Sequence, residues 1–302
     1  PKDELIKEAS NVLTVSGDII EENIKNAALD RKIKLERVND KEGVFTIPNY
    51  YCELGITNRI LTLAISNFQD ISVDVDHLIL QFEKKNNITF AESQKDAIIS
   101  AFQNGIEIIT GGPGTGKTTI IKCIIEIFET CGLKVLLGAP TGRAAKRMSE
   151  STGKEATTIH RMLDMGVFEK EESVFVTNAE EHSLEADVVI IDEASMIDIT
   201  LMNALLKSIK VGTRLIIVGD VDQLPSVGAG NVLNDFIESG FTKVVRLKEI
   251  FRQGKESMIV VNAHKINKGE MPKLNEKGTD FFFIRNDIQE GILNTIIDLI
   301  NT

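Results

Sequence analysis

Apolar residues recur at three- and four-residue intervals over 3–14 (Leu5, Ile6, Ala9, Val12, Leu13) and again over 18–31 (Ile20, Ile24, Ala27, Ala28). That spacing predicts two amphipathic helices. Two runs of strand character follow, 32–38 and 43–47, joined by the polar turn Asn39-Asp40-Lys41-Glu42. Together they predict a small winged-helix-like α+β domain over 1–48. Such a unit binds DNA through its wing or packs against other protein domains, and packing is the favoured reading. Lys32, Lys34 and Arg37 then form a solvated face. Residues 49–87 read as a helical connector, ending in the polar stretch Glu83-Lys84-Lys85-Asn86-Asn87.

From residue 88 the pattern becomes strand, Gly-rich turn, helix, repeated. The strand candidates are 107–110, 134–139, 188–192, 214–219 and 242–247. Several are near-continuous apolar runs, as expected of parallel strands covered on both faces. The fold class is therefore α/β, with a doubly wound parallel sheet of the kind that binds nucleotides. Beyond it, 255–302 predicts a helix, an apolar strand at Phe281-Phe282-Phe283-Ile284 and a final helix.

Composition narrows the setting only a little. No apolar run approaches the roughly 20 residues of a membrane helix, and the amino terminus lacks a secretion signal, so a cytoplasmic protein without a membrane partner is expected. The formal charge of −11 argues against a broadly basic surface that coats nucleic acid, though a local basic track is compatible with it. Cys52, Cys123 and Cys131 have no metal-ligand spacing and are expected to be reduced. The absence of an initial Met, and an apolar helical pattern still running at Ile297–Ile300, suggest a piece of something longer.

The segment Gly111-Gly112-Pro113-Gly114-Thr115-Gly116-Lys117-Thr118 fits G-x-x-x-x-G-K-[ST] between a strand and a helix. Glycines let backbone amides approach phosphates, and the helix N-terminus adds its dipole. Gly112 through Thr119 are the expected nucleotide-binding residues. Lys117 is expected on the β and γ phosphates of ATP, and Thr118 on Mg²⁺. The apolar run Val188–Ile191 ends in Asp192-Glu193, which suits Asp192 to Mg²⁺ and Glu193 to the attacking water. The bland alternative is a strand that ends in two acidic turn residues. Gln223, after the strand at 215–218, has the amide of a γ-phosphate sensor but reads equally as a turn glutamine.

The set of motifs says more than any member. The phosphate loop, Ala139-Pro140-Thr141-Gly142-Arg143-Ala144-Ala145, Ile191-Asp192-Glu193-Ala194-Ser195-Met196, Gly219-Asp220-Val221-Asp222-Gln223-Leu224-Pro225 and Ile250-Phe251-Arg252-Gln253 stand in helicase order. With these, the chain resembles the RecD-like members of the superfamily 1 (1B) DNA helicases over roughly residues 88–285.

The resemblance implies a RecA-like first motor domain over 88–250, with a small inserted hairpin at about 164–187. It implies motif IV and the start of a second motor domain over 251–302. It makes Gln94 a reader of the adenine edge and Arg252 a γ-phosphate contact. Pro140, Thr141 and Arg143 become contacts to the DNA backbone, with Thr158 and His160 in a second contacting segment. Each has a plainer reading: Arg143, Lys146 and Arg147 as a solvated helix face, His160 as a structural histidine, Arg252 as half of a surface ion pair.

The function implied is an ATP-dependent motor on single-stranded DNA or a single-strand/duplex junction, moving 5′ to 3′ in repair or recombination, alongside other repair proteins. A monomer is favoured. Motifs V and VI, with the arginine finger, are not found before Thr302, so this stretch alone is expected to hydrolyse ATP feebly. The competing reading is a non-motor P-loop switch that regulates a protein partner, against which the motif around Gln223 and the absence of a guanine motif both weigh.

Overall fold

The computed structural model describes residues 1–38, 40–66, 68, 71, 73–165, 183–249, 257–274, 278–286 and 288–301. The expected inserted hairpin falls mostly on 166–182, and Ile250-Phe251-Arg252-Gln253 on 250–256; both lie outside the described residues. The chain divides into two compact units. One comprises 1–111 with 117–247, the other 112–116 with 248–302.

The first unit begins with α1 (Lys2–Leu13) and α2 (Gly17–Leu29), followed by an antiparallel hairpin, β1 (Ile33–Val38) and β2 (Lys41–Thr46). Lys41 and Glu42, expected in the turn, already belong to β2, where they pair with Val38 and Arg37. Backbone pairing outweighs their polar character. Lys2 ties the three parts together through Glu21 at 2.9 Å and Glu42 at 2.8 Å. Two further helices follow, α3 (Ile47–Ile65) and α4 (Val75–Asn86). The polar stretch at 83–87 is the last turn of α4, closed by Asn87 in the left-handed conformation. Glu83 is buried there and accepts from the Phe90 amide at 2.7 Å.

The remaining elements of this unit are α5 (Glu92–Gln103), β3 (Ile106–Gly111), α6 (Lys117–Thr130), β4 (Val135–Ala139), α7 (Gly142–Thr152), β5 (Ala156–Thr158), α8 (Ile159–Met162), β6 (Val188–Ile191), α9 (Ile199–Ser208), β7 (Arg214–Gly219), α10 (Val232–Glu238) and β8 (Lys243–Leu247). The six strands β3 to β8 form one parallel sheet in the order β5-β4-β6-β7-β3-β8. Five of them lie where the apolar runs predict. The three-residue β5 is too short to leave a periodic signal.

Alternation explains why these strands read as continuous apolar runs. Ile106, Ile108, Val189, Ile191, Leu215 and Ile217 share one core with residues of α3, α9 and α10. Their neighbours Ile109, Val188, Ile190, Ile216, Val218 and Val245 share the opposite core with residues of α4, α5 and α6. Both faces are covered, so each of these buried apolar positions gains the roughly 1.5–3 kcal/mol of burying a large apolar side chain. All three cysteines are unpaired, and burial pushes the Cys123 thiol up to about 12. Among the described residues, no helix is long and apolar enough to cross a membrane.

The second unit carries α11 (Met258–Asn267) and α12 (Gln289–Asn301). The start of α11 is held by Asp280, whose Oδ1 accepts from the amides of Met258 at 2.6 Å and Ile259 at 3.3 Å. Its middle is pinned by buried Asn262, which donates to the Lys273 carbonyl at 2.8 Å and accepts from the Lys273 amide at 2.7 Å. The strand expected at Phe281–Ile284 is not formed. An apolar run becomes a strand only where a neighbouring strand takes its backbone groups, and Phe282, Phe283 and Ile284 here remain largely exposed.

Candidate functional site

β3, inside the sheet between β7 and β8, ends at Gly111, and α6 begins at Lys117. The five residues between them make the turn with Gly114 at φ 76° and Gly116 at φ 84°, a region that side chains with a Cβ rarely enter. Thr115 is buried and donates its hydroxyl to the Gly112 carbonyl at 2.8 Å. Thr118 is exposed and Thr119 half-buried in the first turn of α6.

Lys117 donates from Nζ to the carbonyl oxygen of Gly111. Burial pulls its pKa below the ordinary lysine value, while Asp220, Asp192 and Glu193, in that order, act to hold its charge. Asp192 leaves the C-terminal tip of β6, and its Oδ1 accepts from the Glu193 amide at 2.8 Å. Burial raises its pKa and the Glu193 charge adds to the rise, against Lys117 and Arg147. Glu193 itself sits at φ 54°, a left-handed backbone that costs of order 1–3 kcal/mol for a residue with a side chain.

The order of the sheet explains the meeting. β6 and β7 are adjacent, and β7 lies beside β3, so Lys117, Asp192, Glu193 and Asp220 all follow the C-terminal ends of neighbouring strands. Such an edge is the usual ligand crevice of a doubly wound sheet. Asp220 is the functional candidate that the sequence reading passed over. It is 3% exposed, and its Oδ1 accepts from the Asp222 amide at 3.1 Å. The signal was present, because Asp220 ends a buried apolar strand just as Asp192 does.

Gln223 stands on the loop that follows, exposed, with its backbone N–H donating to the Asp220 carbonyl at 3.2 Å. Gln94 is 2% exposed in the first turn of α5, where its Oε1 accepts from the Ala91 amide at 3.0 Å. Thr118 and Asp192 offer the hard oxygen donors that Mg²⁺ takes, and that ion needs only one or two protein oxygens beside phosphates and water. Their chemistry fits the ion.

The residues expected on nucleic acid gather at the β5 edge. β4 and β5 are paired with Ala139 opposite Thr158, so Pro140, Thr141, Thr158 and His160 leave the sheet side by side. Thr141 caps α7 by accepting from the Ala144 amide at 3.2 Å, and Thr158 caps α8 by accepting from the Arg161 amide at 3.2 Å. Arg143, Lys146, Arg147, His160 and Arg161 are exposed around these two helix starts. Arg252 lies outside the described residues.

A phosphate loop opening a helix, beside acids at the tips of neighbouring parallel strands, defines a P-loop nucleotide-binding protein. The comparisons narrow this. The model of an AAA domain matches residues 94–229. The chain is 36% identical over 204 residues to the ATP-dependent RecD2 DNA helicase of Deinococcus radiodurans, covering 68% of this chain and 27% of that protein. It is 31% identical over 272 residues to the RecBCD enzyme subunit RecD of Buchnera aphidicola, covering 82% of this chain and 39% of that one. A solved Pif1 helicase from Candida albicans aligns with a TM-score of 0.44 and 22% identity, over 62% of this chain and 46% of that chain. The chain is thus similar to RecD-like helicases over most of its own length, and it spans about a quarter to two-fifths of the length of these curated relatives.

Proposed function

We propose that this chain is the ATP-binding motor part of a DNA helicase that moves 5′ to 3′ along single-stranded DNA, in repair or recombination. The observation that carries the reading is that Lys117, Asp192, Glu193 and Asp220 all follow the C-terminal ends of the neighbouring parallel strands β3, β6 and β7. A lysine so placed must leave the Gly111 carbonyl to meet the β and γ phosphates. The three acids act to hold its charge against the effect of burial.

In this reading Thr118 and Asp192 would hold Mg²⁺, which would supply positive charge to offset that of the phosphates. Glu193 orients the attacking water and takes its proton. Gln223 senses the γ-phosphate, Arg252 contacts it, and Gln94 reads the adenine edge. Pro140, Thr141 and Arg143, with Thr158 and His160, hold the DNA backbone without reading sequence. The named activities of the relatives, a DNA helicase and a subunit of RecBCD, support this assignment.

The test is titration calorimetry of Mg·ATP against the wild-type chain and Lys117→Ala. Loss of binding in the variant is expected, and unchanged affinity overturns the site assignment. Stimulation of ATP turnover by single-stranded DNA then separates a motor from a P-loop switch.

A further inference from the structure

Three consecutive carbonyl oxygens of the phosphate loop are each taken by a side chain. Lys117 donates to Gly111 and Thr115 to Gly112 at 2.8 Å, both from within the motif. The third comes from about 150 residues away: His264 of α11 places Nε2 3.2 Å from the Pro113 carbonyl oxygen. A carbonyl only accepts, so Nε2 carries the hydrogen in this contact. The imidazole also crowds the loop with its Cε1 edge, since a Cβ added to Gly112 would stand 2.5 Å from His264 Cε1.

The Pro113–Gly114 peptide is trans, so its oxygen and its N–H point in opposite directions. With the oxygen turned to His264, the Gly114 amide faces away from the helix. The ring rides on a fixed support, because Asn262 and Asp280 tie α11 to the segments that follow it.

We propose that His264 is a positioning residue for nucleotide binding: it holds the Pro113 carbonyl outward and so presents the Gly114 N–H to the bound phosphates. This rests on the reading of Gly111–Thr118 as a triphosphate site. Gly112 is then glycine partly to admit the imidazole, a demand that comes from α11 as well as from the ligand.

Mg·ADP and Mg·ATP are titrated calorimetrically into the 302-residue chain, wild type, His264→Ala and His264→Gln, with Lys117→Ala as control. His264→Ala is expected to bind both nucleotides roughly two- to tenfold more weakly, the effect of one neutral hydrogen bond. His264→Gln, whose amide carries a donor of similar reach, is expected to recover most of the loss. Wild-type affinity in His264→Ala overturns the proposal, and so does equal loss in both variants, which would mark the ring as packing only. If Lys117→Ala also binds normally, the site reading has failed rather than this inference. Gly112→Ala supplies a second check: it should weaken binding less in the His264→Ala background than in wild type, and equal costs count against the contact.

Discussion

Arg59 donates from Nε to the carbonyl oxygen of Leu206 at 3.0 Å, across 147 residues of sequence, and its second guanidinium nitrogen reaches the carbonyl of Ile209. A helix from the N-terminal third thus satisfies the open carbonyls at the end of α9, whose other end is capped by Asp198 a few residues after Glu193. Because the bonds are charge-assisted and half-buried, Arg59→Ala is expected to lower unfolding stability by about 1–3 kcal/mol. Urea denaturation measures it, and an unshifted midpoint would refute the capping role. Arg59→Lys should fall between, since a lysine cannot span both carbonyls as a fork.

Glu193→Gln keeps the shape of the proposed water-activating group and removes its basicity. Mg·ATP affinity should be retained while turnover falls by roughly 10²–10⁴. Single-turnover hydrolysis of Mg·ATP checks this. Equal turnover in variant and wild type would assign the base elsewhere.

Glu107 on β3 is fully buried, accepts a hydrogen bond from Ser100, and has its pKa pushed up to about 8, chiefly by burial. A raised carboxyl pKa stabilises the fold fully below the unfolded value near 4.5, and that contribution drains away as pH rises toward 8. Stability should therefore decline between about pH 4.5 and 8 more steeply in wild type than in Glu107→Gln. Chemical denaturation at several pH values reads this out, and parallel curves would exclude Glu107 as the source.

Gly230 closes the loop that carries Gln223, at φ 99°, and a Cβ there would stand 2.2 Å from Ile199 Cγ2. Gly230→Ala combines left-handed strain with that clash. A loss of about 1–3 kcal/mol in stability is expected from the backbone term alone, visible as a lower thermal midpoint. A midpoint equal to wild type would mean that the loop relaxes freely.

What the sequence by itself determined is whatever short stretches encode. The five apolar runs became parallel strands because burial on both faces leaves no polar alternative, and the phosphate loop is contiguous, so its glycines and lysine are read in one glance. Tertiary structure alone decided the rest. Strand order β5-β4-β6-β7-β3-β8 brings Asp220 to Lys117. The same chain path sends Arg59 to α9 and His264 to Pro113, while the strand-like run at 281–284 stays irregular. Each of these depends on which distant segment arrives as a neighbour, and hydrophobic periodicity carries no record of that. The pattern states which face of a segment is buried, and only the assembled sheet states against what.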